Sequence, residues 1–218
     1  KVEEIKEFVK SVDKLRVGIY KDSLNLAIYN FKSNLVNLIS AKNIEVATEY
    51  VTHLYEELKL LEDIDVTAFD AEGIVQTASK NIKLDYQNYS LRIQNNISKS
   101  KYNVCIIVGI DKFLINIEKE ILSDLRKAEE LKNYTFIVVD SVFKLKNHEY
   151  DDWYKAYITK DSGIWVGNGV ADQYLIRMNT SARNLVNNCG ESFGYLIKQE
   201  EAKLIKLIGM KDAGEKNG

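Results

Sequence analysis

The stretch whose residue types could do chemistry is a turn between a buried strand and an amphipathic helix, within residues 34–58. At such a turn a phosphate-binding loop needs Gly-x-x-x-x-Gly-Lys-Ser/Thr, because backbone amides surround the phosphates, the lysine reaches them and the hydroxyl holds magnesium. Aligned on the strand end, the eight positions here are Ser40, Ala41, Lys42, Asn43, Ile44, Glu45, Val46 and Ala47. Both glycines, the lysine and the hydroxyl are replaced, and Glu45 brings a carboxylate to a phosphate position. The sequence therefore predicts a nucleotide-binding scaffold without the residues of triphosphate chemistry.

The elements on either side of this turn are predicted from hydrophobic spacing. Residues 35–39 are mostly apolar, as is typical of a buried strand. From Val46 to Leu58 apolar residues recur every three or four positions, which predicts an amphipathic helix. An ordinary strand-to-helix turn of any α/β protein fits the same pattern, so these residues alone leave that alternative open.

Strands and helices alternate along most of the chain. Further buried strands are predicted at 65–70, 103–110, 134–139 and 163–166. Helices are predicted at 86–98 and from just after Asp111-Lys112-Phe113 to about Leu131, and β-hairpins at 16–29 and 193–208. This order predicts an α/β fold with a mostly parallel sheet, flanking helices and a C-terminal β-hairpin.

Composition limits the functions that are open to the chain. The chain has a formal charge of −2 and a pI near 5.9, whereas nucleic-acid-binding proteins typically carry an excess of positive charge. Cys105 in an apolar strand and Cys189 in a polar turn do not form a disulfide framework, so a reducing environment is expected. No apolar run approaches the roughly 18 residues of a membrane-spanning helix, and no signal peptide opens the sequence. We therefore expect a cytoplasmic domain with no nucleic-acid partner.

The predicted domain organisation is one main domain with two short flanks. Residues 1–15 are predicted as a leading amphipathic helix, residues 16–210 as the α/β domain, and residues 211–218 as a disordered polar tail. The length suits one α/β domain better than two. Because the sequence opens inside a charged helix, we expect it to be one domain of a longer protein.

Several motifs then follow in a fixed order. They are a strand ending at the phosphate-loop position, a strand ending in Phe69-Asp70-Ala71-Glu72-Gly73, an apolar strand before Asp111-Lys112-Phe113, the stretch GIWVGNGVADQY, and a final FGYLIK hairpin. This order resembles the FtsK/SpoIIIE family of motor ATPases, with their P-loop NTPase-like fold, over nearly the whole chain. More narrowly, the IWVGNG stretch and the hairpin resemble the terminal, degenerate ATPase domain of EssC-like coupling proteins of type VII (type VIIb) secretion systems.

The resemblance implies a degenerate magnesium site after the apolar strand. In the family this strand precedes an Asp-Glu pair, in which the aspartate supports magnesium and the glutamate polarises the attacking water. Asp111 matches the aspartate, but Lys112 stands at the glutamate position and cannot act as a base while protonated. ATP with Mg²⁺ is therefore expected to bind weakly, through base and ribose contacts, with slow or absent hydrolysis. An aspartate at a strand-to-helix junction is otherwise most often an N-cap, and this alternative stays open for Asp111.

The resemblance further implies a part in protein export. EssC-like proteins are membrane-anchored, multimerise on the cytosolic side and recruit small helical WXG100-type substrates through their terminal ATPase domains. The partners implied here are such secreted proteins, neighbouring ATPase domains of the same chain and other components of the secretion system. The candidate surface for substrates is an aromatic group, Tyr150, Trp153, Tyr154, Tyr157 and Trp165. Core packing is the competing explanation for these residues.

Two other functions are weighed against cargo binding. An active ATPase or DNA translocase would need an intact phosphate loop, an Asp-Glu pair and a basic surface, and the sequence has none of them. A structural module would instead pack against an active neighbouring domain and regulate it. Such a module would bind its neighbour but no secreted substrate.

Overall fold

One mixed sheet forms the centre of the protein in a computed structural model that describes residues 11–72, 101–117 and 120–211. The strands of this sheet are β1 (Leu15–Tyr20), β2 (Leu26–Tyr29), β3 (Val36–Ala41), β4 (Ile64–Asp70), β5 (Tyr102–Val108), β6 (Tyr134–Ser141), β7 (Gly163–Val166), β8 (Phe193–Lys198) and β9 (Glu201–Leu207). The described α-helices are α1 (Ile44–Lys59), α2 (Ile110–Ile117), α3 (Ile121–Leu131), α4 (Val142–Lys146) and α5 (Asp152–Tyr157).

The strand order divides the sheet into a parallel and an antiparallel part. Strands β7-β3-β6-β5-β4 run parallel, and β2-β1-β9-β8 continue the sheet beyond β7 with antiparallel pairing. The predicted α/β fold with a C-terminal hairpin, β8–β9, is thereby confirmed. The chain leaves β3 for β4 at the far edge and later returns to place β7 on the other side of β3. In open α/β sheets the crevice outside the carboxyl ends of the strands at such a switch point is the usual ligand site.

Alternate residues of the central strands face two hydrophobic cores. In β3, Ile39 and Ala41 join the core that α1 covers, whereas Val36 and Leu38 join the core on the opposite face. Because both faces are covered, every residue of β3 and β6 is buried. This explains why the two strands read as nearly continuous apolar runs in the sequence.

Helix α1 covers the first face with the apolar stripe that its spacing predicts. The fully or nearly fully buried residues of this stripe are Ala47, Tyr50, Val51, Leu54 and Leu58. The Tyr50 hydroxyl also donates a hydrogen bond of 3.1 Å to the backbone carbonyl of Val17 in β1. The helix is therefore fixed both to the parallel strands and to the first hairpin.

The second face is covered by the four shorter helices. Their buried residues include Phe113, Leu114, Leu125, Ala128, Leu145, Trp153 and Tyr154. Helix α3 ends at Leu131, and the next residue, Lys132, has a left-handed backbone and donates its amide to the carbonyls of Ala128 and Glu129. None of the described helices is long and apolar enough to cross a membrane.

Two element boundaries differ clearly from the sequence prediction. Val12–Lys14 form a 3-10 turn and Leu15 already begins β1, while the rest of the predicted leading helix, residues 1–10, lies outside the described residues. The strand predicted to reach Ile110 ends at Val108, because Gly109 adopts a positive φ of 74° and turns the chain into α2. The predicted helix at 86–98 and residues 212–218 of the tail also lie outside the described residues.

Candidate functional site at the carboxyl edge of the parallel sheet

The turn at the predicted phosphate-loop position is two residues long. Helix α1 begins at Ile44, directly after the exposed residues Lys42 and Asn43. The eight predicted positions therefore lie in β3 (Ser40, Ala41), in the turn (Lys42, Asn43) and in the first turn of α1 (Ile44, Glu45, Val46, Ala47). A phosphate loop curves several backbone amides around the anion, and a two-residue turn has no length for that.

Two side chains beside this turn, Ser40 and Glu45, have structural roles in the sheet and in α1. Ser40 is fully buried, and its hydroxyl donates a hydrogen bond of 2.9 Å to the backbone carbonyl of Asp140 in β6. Glu45 is exposed in the first turn of α1, where a carboxylate complements the positive end of the helix dipole. The Ser40 hydroxyl is therefore engaged inside the sheet, and Glu45 stabilises the start of α1.

A glycine turn after β7 lies against the start of α1. Gly167 and Gly169 have positive φ values of 74° and 90°. A Cβ atom on Gly167 would lie 3.4 Å from the side chain of Val46, and one on Gly169 would lie 3.6 Å from Cδ of Lys42. Between them, Asn168 accepts a hydrogen bond from the buried indole of Trp165 through its backbone carbonyl. The IWVGNG stretch thus packs the backbone closely over the turn that replaces the phosphate loop.

Asp111, the aspartate matched to the magnesium site, lies in the first turn of α2 instead of at the end of β5. Its Oδ1 lies 3.1 Å from Nε2 of His148, and Nδ1 of the same imidazole lies 2.7 Å from Oδ2 of Asp151. The half-buried ring therefore bridges two carboxylates. Sequence spacing suggests only the His148–Asp151 contact, three residues apart, because the contact with Asp111 spans 37 residues.

Lys112, which stands at the glutamate position, faces a carboxylate from another strand end. Its Nζ lies 3.8 Å from Oε2 of Glu72, while Nζ of Lys144 donates to Oε1 of Glu72 at 2.6 Å. The hydrogen bond to Glu72 raises the pKa of Lys144. Glu72 can approach because Gly109 has no side chain, since a Cβ there would lie 2.7 Å from Cγ of Glu72. Two ammonium groups thus share one carboxylate at the place where a catalytic base would be required.

Asp140 is the buried acid at this edge that sequence reasoning passed over. It is the last residue but one of the central strand β6 and is fully buried. Its carboxylate accepts hydrogen bonds from the amides of Asp111, 3.2 Å, and Ser141, 2.7 Å. Burial raises the pKa of Asp140. The available signal was an aspartate in an otherwise apolar strand. Its partner from α2 lies 29 residues away and could not be identified from spacing.

The five predicted aromatic residues do not form one surface. Trp153 and Tyr154 are buried in the core beneath α5, and Trp165 is buried in β7. Tyr157 is half-buried and donates a hydrogen bond of 3.1 Å to Glu129, whereas Tyr150 is 81% exposed.

A cavity of about 270 Å³ opens instead at the carboxyl ends of β3, β6 and β7. Its lining includes Lys42, Phe143, Trp165, Asp172 and Tyr174. Phe143 and Tyr174 are 64% and 47% exposed although both carry large rings. Sequence reasoning missed both residues, because an exposed aromatic residue has no periodic signature that separates it from a buried one.

The described residues do not fit a magnesium triphosphate. The amide loop is replaced by two residues, the Ser40 hydroxyl is bonded inside the sheet, and the Asp111 carboxylate faces His148. Within 11–72, 101–117 and 120–211, no group of three or more His, Cys, Asp or Glu side chains is placed to hold a metal ion.

Sequence comparison finds no protein-family model that matches the chain and no curated protein similar to it. Solved structures do match. EssC (ATPases 2 and 3) from Geobacillus thermodenitrificans is 14% identical with a TM-score of 0.68, over 93% of this chain and 43% of that one. Thermomonospora curvata EccC (ATPases 2 and 3), in complex with a signal sequence peptide, is 12% identical with a TM-score of 0.60, over 92% and 41%.

A third similar structure is that of a conjugation coupling protein. The pCW3 conjugation coupling protein TcpA, with ATPγS, is 9% identical with a TM-score of 0.60, over 93% of this chain and 67% of that one. The chain spans less than half the length of the EssC and EccC structures that it matches. It has the FtsK-like fold of the cytoplasmic ATPase domains of EssC and EccC, the ATPases of type VII secretion.

Proposed function

We propose that this domain binds secreted proteins for a type VII secretion ATPase and does not itself hydrolyse ATP at a useful rate. The single observation that carries the proposal is the two-residue turn between β3 and α1, in a fold whose similar structures are ATPase domains. A fold kept intact around a lost phosphate loop suits a binding role better than a catalytic one. The predicted domain span of 16–210 is part of this proposal.

The loss of hydrolysis follows from several independent changes at one edge. The amide loop is too short, Lys112 stands where a base is needed, and Asp111 is turned toward His148. Removing a single preorganised charge stabiliser commonly lowers kcat by about 10²–10³. Together these changes leave nucleotide with base and ribose contacts at most, so weak binding of ATP without turnover is what we propose.

The proposed cargo is based on one structure with a similar fold, which contains a bound peptide. Thermomonospora EccC was solved with a signal sequence peptide, and this chain aligns with that structure over 92% of its length. We therefore propose small helical WXG100-type secreted proteins as partners. Membrane anchoring, multimerisation and contact with other secretion components would belong to the longer protein of which this chain would be a domain.

A calorimetric titration of the whole chain with a purified WXG100-type protein tests the proposal. Saturable binding at micromolar or tighter affinity is expected, together with a heat signal that added ATP leaves unchanged. A WXG100-type protein with its C-terminal tail removed serves as the matched control for recognition through a signal segment. Absence of binding by the folded chain would contradict the proposed function.

A structural module that regulates a neighbouring domain is the second candidate. It is favoured by one observation, that the chain corresponds to less than half of structures that contain ATPases 2 and 3 together. In that case the chain would bind no cargo but would change the turnover of the adjoining ATPase domain. Comparing the ATPase rate of that domain with and without this chain distinguishes the two functions.

A further inference from the structure

We infer that the cavity at the carboxyl ends of β3, β6 and β7 binds a large apolar side chain of a protein partner, in a segment that carries carboxylates beside it. This inference rests on the proposed function, since it gives the site and the chemistry by which cargo would be held. Of the lining residues, only Lys42 and Trp165 were predicted as site residues, although the GIWVGNGVADQY stretch contains four more of them.

The walls of the cavity are apolar and partly exposed. Trp165, with 1% of its surface exposed, is the deep wall, and Phe143 and Tyr174 present their rings at the opening. Exposed rings around a concave site are typical of interaction surfaces, because apolar area remains in water until a partner covers it. About 270 Å³ is below the roughly 300–1,000 Å³ of sites for drug-sized molecules. The space suits one or two side chains better than a nucleotide.

The charge around the opening is positive. Lys42 lines the cavity, and Nζ of Lys146 lies 5.3 Å from the ring centroid of Tyr174. Among the described residues, neither lysine forms an ion pair with a carboxylate. Asp172, the acid in the lining, accepts a hydrogen bond of 3.0 Å from Asn187, and its single negative charge offsets only one of the two ammonium groups. Two unpaired ammonium groups beside apolar walls complement a segment that is both apolar and acidic.

The cavity is held in shape before any partner arrives. The side chain of Gln173 donates to the backbone carbonyl of Ile176 at 2.7 Å and accepts from its amide at 2.9 Å. Trp165 is fixed by its hydrogen bond to the carbonyl of Asn168, 3.2 Å. A wall that is already ordered loses little conformational entropy on binding, which favours affinity.

The first test uses three short peptides and nuclear magnetic resonance of the whole chain. The probe is the blocked peptide Glu-Ala-Phe-Ala-Glu, and its matched controls are Lys-Ala-Phe-Ala-Lys and Glu-Ala-Ala-Ala-Glu. Millimolar probe is expected to shift the amide signals of Phe143, Gly169 and Tyr174, and each control is expected to bind about fivefold or more weakly. Absent shifts, shifts elsewhere, or equal affinities for the three peptides would overturn the inference. Displacement of the probe by ATP, with ATP shifting the same amides, would assign the cavity to nucleotide and overturn it also.

The second test measures cargo binding by exposed-site variants. Phe143→Ser and Lys42→Glu are expected to weaken binding of a WXG100-type protein by about tenfold each. Ile115→Ser removes a residue that is 79% exposed on α2, outside the cavity lining, and is expected to change nothing. If wild type and all three variants bind alike, the inference fails and the proposed function stands. If wild type binds no cargo, the proposed function fails, and the peptide titration still decides whether the cavity has the inferred chemistry.

Discussion

At the residue scale, two buried aspartates differ in whether their carboxylates have hydrogen-bond partners. Asp140 is fully buried, but two backbone amides donate to it. Asp124 in α3 is buried with one carboxylate oxygen that has no hydrogen-bond partner among the described residues. Burial, with a smaller contribution from Glu120, raises the pKa of Asp124 to about 6 from 3.8. Asp124 should therefore be the residue whose ionisation most clearly costs stability.

The variant Asp124→Asn should be more stable than wild type at pH 7. Between pH 3.8 and about 6 the folded protein keeps a proton at Asp124 that the unfolded chain has lost. The contribution of Asp124 is thus present at low pH and is lost as pH rises through this window. We expect the free energy of unfolding at pH 7 to rise by about 1–3 kcal/mol, with a flatter pH profile. Urea denaturation across the window measures it.

Asp63→Asn, at an exposed acid just before β4, is the matched control and should leave the profile unchanged. A variant at Asp124 that is no more stable than wild type at pH 7, or that keeps the wild-type pH slope, would contradict the assignment.

Gly109→Ala should destabilise the protein more than a backbone effect alone explains. A non-glycine residue at a positive φ costs about 1–3 kcal/mol, and here the new Cβ would also meet Cγ of Glu72 at 2.7 Å. Gly190→Ala is the matched control, because Gly190 has a φ of 91° but no atom within 4 Å of the added Cβ. Chemical denaturation should show a larger loss at Gly109. Equal losses would mean that Glu72 moves away without cost.

At the scale of elements, strands and helices were predicted well where the spacing of apolar residues within one segment indicates its structure. The strand before Ser40 and the helix that buries Tyr50 and Leu54 follow from local apolar spacing. The site could not be predicted to the same degree. The contacts of Asp140 with Ser40 and Asp111 join segments 100 and 29 residues apart, and nothing in the spacing pairs them. The tight turn before α1 could also be predicted, because the apolar strand is followed closely by the apolar spacing of the helix.

Helix α1 should be the main source of stability on its face of the sheet. Leu54 is fully buried at its centre, so Leu54→Ala should lower the free energy of unfolding by about 2–5 kcal/mol through lost burial and a cavity. Leu60→Ala makes the same chemical change just beyond the helix, where Leu60 is 69% exposed, and should cost well under 1 kcal/mol. Similar losses in thermal or urea denaturation would show that the helix packs less tightly than described.

At the scale of the whole molecule, the chain has the fold of ATPase domains, but the described residues at its carboxyl edge do not form a phosphate loop. Five parallel strands and their crossovers place a crevice where ATPases of this fold act, yet the crevice contains a short turn, a packed glycine turn and a small apolar cavity. Fold alone does not determine function, which depends on the residues of the site. The same carboxyl edge is therefore proposed to hold protein cargo in place of a triphosphate.

The most direct test of this account is the steady-state rate of ATP hydrolysis by the whole chain with magnesium. We expect phosphate release that does not exceed the background without protein, in wild type and in Asp111→Ala alike, because Asp111 faces His148 and the turn between β3 and α1 is too short to hold the phosphates. Phosphate release that rises in proportion to protein concentration and is lost in Asp111→Ala would contradict the account and restore an active ATPase.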